Sequence, residues 1–183
     1  MARRRGRGLI QRIRLALLVV VMVIAQVALF PHLRIDGVAP DLGLVTAVAV
    51  AVAYRGGPEA GAIVGFAAGL LFDLFLRTPL GLSALAWAIT GYIVGVVQGG
   101  MLRTGRWAAP VLGAAGGLVG GALFVLIGGL VGQDELVTSN SVRIVLIASA
   151  YDAVLAPLIF LFVRWALHDP RATSRIGGGG WVT

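Results

Sequence analysis

The chain has 183 residues, 58% of them hydrophobic before its 27 glycines are counted, and only 13% charged. Soluble domains reach about 45–50% apolar with glycine included, so a soluble fold of this size could not hide the excess from water. Cysteine is absent, which excludes disulfides, thiolate metal sites and cysteine nucleophiles.

The 15 basic residues are all arginine, set against 8 acids for a net charge of +7. They cluster in the tails and in short gaps between apolar runs, not on the basic face that nucleic-acid binding needs. His32 and His168 lie far apart, which argues against a histidine-rich metal site. The composition predicts an all-α polytopic membrane protein, a six-transmembrane-helix bundle. Six spans of about 20 residues occupy about 120 positions, which leaves no room for a separate soluble domain. The expected organisation is a basic cytoplasmic N-terminal tail over 1–14, a transmembrane domain over 15–167 and a flexible cytoplasmic C-terminal tail over 168–183.

The first span, Leu15 to Phe30, is interrupted only by Gln26 and follows six arginines. A secretory signal has a similar start, but this run is long for a signal core, lacks a clear small-x-small site and precedes further spans. It therefore reads as an uncleaved helix. The second, Leu42 to Tyr54, is the weakest. Ala60 to Leu76, Leu80 to Leu102, Trp107 to Gly132 and Ile144 to Leu167 follow. These runs are continuous rather than alternating, which disfavours a β-barrel.

The arginines decide whether the short second run crosses. With six crossings and both ends cytoplasmic, 12 arginines lie inside and three, Arg34, Arg77 and Arg143, lie outside. If that run stays on one side, the division becomes 8 against 7. The positive-inside rule favours six crossings. The longest connection, Gln133 to Val142, then faces outward with Asp134 and Glu135. Gly177 to Gly180, four consecutive glycines in the C-terminal tail, read as flexible.

Glycines recur every fourth residue in three places: Gly57, Gly61, Gly65 and Gly69; Gly91, Gly95 and Gly99; and Gly113, Gly117 and Gly121. On helices these ladders are packing faces, because close backbone approach drives association in lipid. Gly65 or Gly69 replaced by Leu is expected to disturb the bundle more than Ala51 replaced by Leu.

Asp73 and Asp152 are the acids well inside predicted spans, each costing about 2.5–3.5 kcal/mol if charged at a helix centre. Asp73 continues the first ladder one turn before Arg77, so an i,i+4 ion pair at the outer surface is expected. Asp152 lies shortly before Pro157, whose missing N–H frees a carbonyl for polar neighbours; protonation is the simple expectation there. An intramembrane aspartyl protease would pair two such acids. Tyr151–Asp152 resembles half of the presenilin-type signature, but Asp73 sits in GLLFD rather than GxGD, and the order is reversed. A coupled transporter is the more plausible alternative, although no basic or aromatic residues converge on a substrate pocket.

The stretches PDLGL (Pro40 to Leu44), GGPEAGAIVGFAAGLLFDLF (Gly56 to Phe75), TPLGLSALA (Thr78 to Ala86) and GYIVG (Gly91 to Gly95) resemble the rod shape-determining protein MreD family over roughly positions 38 to 100. The resemblance implies a non-enzymatic inner-membrane scaffold of the bacterial cell-elongation complex, with neither catalytic residues nor a cofactor. Its implied partners are MreC, within a wider complex of MreB, RodA and a class B penicillin-binding protein, together with the lipid bilayer and no nucleic acid. The motif positions Pro40, Asp41, Gly61, Gly65, Phe66, Gly69, Asp73, Pro79, Gly81, Tyr92 and Gly95, with Asp152, are the candidates for helix packing or partner binding. The family also resembles the six-helix substrate-binding subunits of energy-coupling-factor vitamin transporters. Their AxxxA docking motif is missing, because Ala16 is followed four later by Val20 and Ala25 by Leu29.

Overall fold

A computed structural model describes residues 2–29, 38, 40–53, 57–76, 79–101, 108–133, 138 and 140–167. These form six α-helices: α1 (Ala2–Leu29), α2 (Leu42–Ala53), α3 (Gly57–Asp73), α4 (Leu82–Met101), α5 (Ala108–Leu130) and α6 (Ser141–Leu167). The helical cores coincide with the six apolar runs. The basic segment is helical too, since α1 runs from Ala2 onward. The C-terminal segment 168–183 lies outside the described residues, as do Asp134 and Glu135.

The bundle is apolar on the outside and partly polar within. Leu130 is 80% and Trp165 71% exposed, and apolar residues such as Leu17, Ile63, Val154 and Leu161 line the surface of α1, α3 and α6. Gln26, Thr46, Asp73, Ser83, Thr90, Ser149 and Asp152 are buried. Such a surface suits hydrocarbon, not water. Three helices, α1 from Ile10, α5 and α6, are long and apolar enough to cross a membrane.

The weakest predicted span becomes the centre of the fold. Every residue of α2 from Leu42 to Ala51 is buried, enclosed by the other five helices. Its alternating Ala and Val make a thin rod that neighbours can surround on all sides. At 12 residues it is about 18 Å long, well short of the about 30 Å hydrocarbon core. Its one hydroxyl is satisfied locally, as Thr46 Oγ1 donates to the Leu42 carbonyl at 2.7 Å. Thr90 and Ser149 do the same on α4 and α6, a way for short polar side chains to sit in an apolar core.

Glycines set the close contacts. A Cβ at Gly61 would lie 2.8 Å from the Gly91 carbonyl oxygen, one at Gly69 2.5 Å from Ala84 Cα, and one at Gly95 2.6 Å from Pro58 Cα; at Gly65 it would strike the Trp87 carbonyl. Contacts that descend α4 as they ascend α3 define an antiparallel pair in backbone contact. On α5, Gly113, Gly117 and Gly121 face Ala156, Asp152 and Val145 of α6, while Gly116 and Gly120 face Val48 and Leu44 of α2. That second glycine face of α5 is absent from the ladder reading. Gly57 does not belong to the first ladder's contact, because nothing lies within 4 Å of its Cβ position. It starts α3 at φ +50°, ahead of Pro58. The surroundings of Gly99 lie outside the described residues. Ala51 is a poor control position, since a Cβ at Gly61 would lie 2.5 Å from the Ala51 Cβ. The ladders and α2 share one interface.

These contacts alternate in direction from helix to helix. At one end of the bundle, Gln11 Nε2 of α1 donates to the Leu167 carbonyl of α6 at 3.3 Å. The start of α1 and the end of α6 therefore lie together.

Candidate functional site: carboxylates that hold buried helix ends

A helix leaves its first amides without intrahelical partners, and inside a bilayer no water is present to take them. The helices α2 and α4 face this problem, and the intramembrane acids answer it.

Asp73, 1% exposed, closes α3. Its Oδ2 accepts the Gly81 N–H at 2.8 Å and the Ala84 N–H at 3.4 Å, and its Oδ1 accepts the Ser83 N–H at 3.2 Å. The Gly81 carbonyl takes the first bond of α4, from Leu85 N–H at 2.9 Å. Gly81 stands at φ +99°, a left-handed conformation that a side chain would disfavour. That turn aims the amides back at Asp73, with Pro79 accepting the Leu82 N–H at 3.3 Å behind it. The carboxylate also sits at the positive end of the α4 dipole. Beside it Phe72 stacks on Trp87 at 5.2 Å between ring centroids. Asp73 thus faces inward onto α4 rather than outward; the expected partner Arg77 lies outside the described residues.

Asp152, 0% exposed, occupies the middle of α6. Its Oδ1 accepts the backbone N–H of Asp41 at 2.8 Å. Asp41 in turn heads α2, its carbonyl accepting the Val45 N–H at 2.9 Å. The Asp41 side chain accepts from Gln26 Nε2 at 3.2 Å, and Gln26 Oε1 accepts the Gly43 N–H at 3.1 Å. Residues from α1, α6 and the head of α2 are joined in one buried network. Pro40 is fully buried beside it, and a Cβ at Gly43 would strike the Trp87 ring. Among the described residues, Asp152 Oδ2 has no hydrogen-bonding partner. It packs against Gly117, where a Cβ would lie only 2.7 Å from it. The hydrogen bond of Asp152 thus runs to Asp41, not to the carbonyl freed by Pro157.

The two predicted acids are engaged separately, Asp73 by α4 and Asp152 by the head of α2. Asp152 meets Asp41, not Asp73, and does so through the Asp41 backbone N–H. Gln26 is the network member that sequence reasoning passed over. Its signal was the lone polar interruption of the first apolar run, and its partners could not be read locally. Phe66 and Tyr92, each 50% exposed, lie on outer faces away from both networks.

The sequence profile of the rod shape-determining protein MreD matches residues 7–166. The chain belongs to the MreD family. The match extends the motif resemblance, confined to positions 38 to 100, across all six helices. No curated protein and no solved structure matches the chain. In this MreD-family chain, the PDLGL motif is the head of α2 and the PLG motif is the turn into α4. Each lies against an acid from a neighbouring helix. MreD membership assigns a role in determining rod shape, and with the apolar helices it makes this a membrane protein.

Proposed function

We propose that this protein is a non-enzymatic inner-membrane scaffold of the cell-elongation complex, which associates with MreC to help position and activate peptidoglycan synthesis. MreB, RodA and a class B penicillin-binding protein complete the assembly, as in the family it belongs to. The observation that carries this reading is the family match over residues 7–166. The architecture supports it: the buried side chains of Gln26, Asp73 and Asp152 hold one helix to another, which suits an adaptor. Six crossings with both ends cytoplasmic follow from the arginine distribution, and the pairing of Gln11 with Leu167 supports an even number.

Depletion in a rod-shaped host is expected to round or swell the cells, with rescue by the intact chain. Affinity purification in mild detergent is expected to bring along a single-span protein with a large periplasmic part. Normal cell shape combined with lost uptake of a vitamin would replace the scaffold by the transporter reading.

A further inference from the structure

The α3–α4 pair is covered on one side, where a Cβ at Gly43 of α2 would meet Trp87 of α4 and Ala68 of α3, both buried. The opposite side is open. There Ile63, Phe66 and Leu70 of α3 and Leu85, Tyr92 and Val96 of α4 are exposed, and spacings of three, four and seven put each set on one helix face. Ala62 and Ala88, half-buried, lie between them, because the contacts through Gly65 and Gly91 bring the two backbones together. The result is a shallow apolar groove with a floor of small residues and an aromatic side chain on each wall.

One end of this groove is acidic. Glu59, in the first turn of α3, is exposed and shares the face of Ile63 and Phe66, four and seven residues on. Gly95 packs on Pro58, which sets Val96 beside that turn. Under six crossings α3 begins on the cytoplasmic side. The cytoplasmic ends of α1 and α6 present exposed arginines instead, Arg12, Arg14 and Arg164.

We infer that this groove seats the single membrane-spanning helix of a partner whose cytoplasmic flank is basic. Charge selects that occupant over the two others an apolar face in a membrane could take. Anionic headgroups of the inner leaflet are drawn to arginine and repelled by Glu59. A second copy of the chain, related by a two-fold axis along the membrane normal, would set one Glu59 against the other at the same depth, where like charges repel. A single-span helix entering with Lys or Arg at its cytoplasmic flank, which the positive-inside rule supplies, brings the opposite charge to Glu59. Its apolar body then lies on Ala62 and Ala88, where small residues permit close approach in lipid, between Phe66 and Tyr92. The inference rests on the scaffold reading and adds to it the surface that the partner meets.

The test uses the full chain with MreC of the same host in native membranes. The chain lacks cysteine, so Phe66→Cys, Tyr92→Cys, Leu126→Cys and Val154→Cys are made singly, the last two at exposed positions of α5 and α6, while one cysteine is walked along the MreC span. Oxidation with copper phenanthroline is expected to join MreC to Phe66→Cys and Tyr92→Cys and not to the other two. Glu59→Arg is expected to capture roughly fivefold less MreC than the wild type, and changing the basic flank of MreC to Glu to restore capture. Crosslinks to MreC from Leu126→Cys or Val154→Cys alone overturn the inference and leave the scaffold reading intact. Crosslinks through Phe66→Cys or Tyr92→Cys that join two copies of this chain in place of MreC overturn it as well. A wild-type chain that captures no MreC overturns the scaffold reading, and the inference falls with it. The crosslinks decide even where Glu59→Arg fails to insert.

Discussion

The side chain of Asp152, in the middle of α6, accepts the backbone N–H of Asp41 at 2.8 Å, across 111 positions of the chain. This bond gives the first amide at the head of α2 an acceptor where no water is available. Replacing Asp152 by Ala strands that amide, at a cost of about 1–3 kcal/mol. Replacing it by Asn keeps an acceptor oxygen in place and costs less. Thermal unfolding of the purified variants in detergent should rank them wild type, Asn, Ala; equal midpoints for Asn and Ala would show that the bond contributes nothing.

Gln26 joins α1 to the same junction through two hydrogen bonds. Gln26→Leu fits the apolar surroundings but leaves the Gly43 amide without its acceptor, a loss of about 1–3 kcal/mol. Exposed Val21 replaced by Leu should be neutral. Protease accessibility of α1 is the measurement: faster cleavage in Gln26→Leu alone is expected, and identical cleavage in the two variants would contradict the role given to Gln26.

The turn into α4 depends on Asp73 and Gly81 together. Asp73→Ala removes the acceptor of three amides, more than the about 0.5–2 kcal/mol of an ordinary N-cap loss. Gly81→Ala forces a side chain into φ +99°, at about 1–3 kcal/mol. Both variants should lower the midpoint of thermal unfolding, and the double variant should lose less than the sum because the residues share one contact. Strict additivity would count against the shared turn.

Gly65 has no room for a side chain, since its Cβ position meets the Trp87 backbone. Overpacking at such a site costs about 1–3 kcal/mol or more. Gly65→Leu should lower expression and thermal stability sharply, whereas exposed Ala67→Leu on the same helix should not. Comparable stability of the two would remove backbone contact as the basis of the α3–α4 pair.

The chain has no cysteine, so single cysteines can be placed without background. Under six crossings, a cysteine at Thr138 should react with a membrane-impermeant reagent added outside intact cells. One at Arg12 or Arg164 should react only after permeabilisation. Labelling of Thr138 and Arg164 from the same side would refute the topology.

The number, order and approximate limits of the helices were legible in sequence because each is an apolar run bounded by arginine, glycine or proline. The closeness of α3 to α4 was legible as well, since a glycine every fourth residue serves mainly to let backbones meet. The rank of α2 was not. A short run of Ala and Val reads as a marginal span, and only its enclosure by five neighbours makes it the core. Tyr92 and Phe66 shared motifs with buried residues and yet face outward, because a motif gives spacing along the chain but not which face a neighbour will cover.

By itself the sequence determined that this is a helical membrane protein of the rod-shape family with two acids held at depth, because composition, charge placement and motif order are properties of the chain alone. Only the tertiary structure decided what those acids do. Asp73 reaches α4 across a glycine turn, and Asp152 reaches α2 across 111 residues. A buried donor takes its acceptor from whatever packing brings near, and nothing in local sequence encodes that proximity.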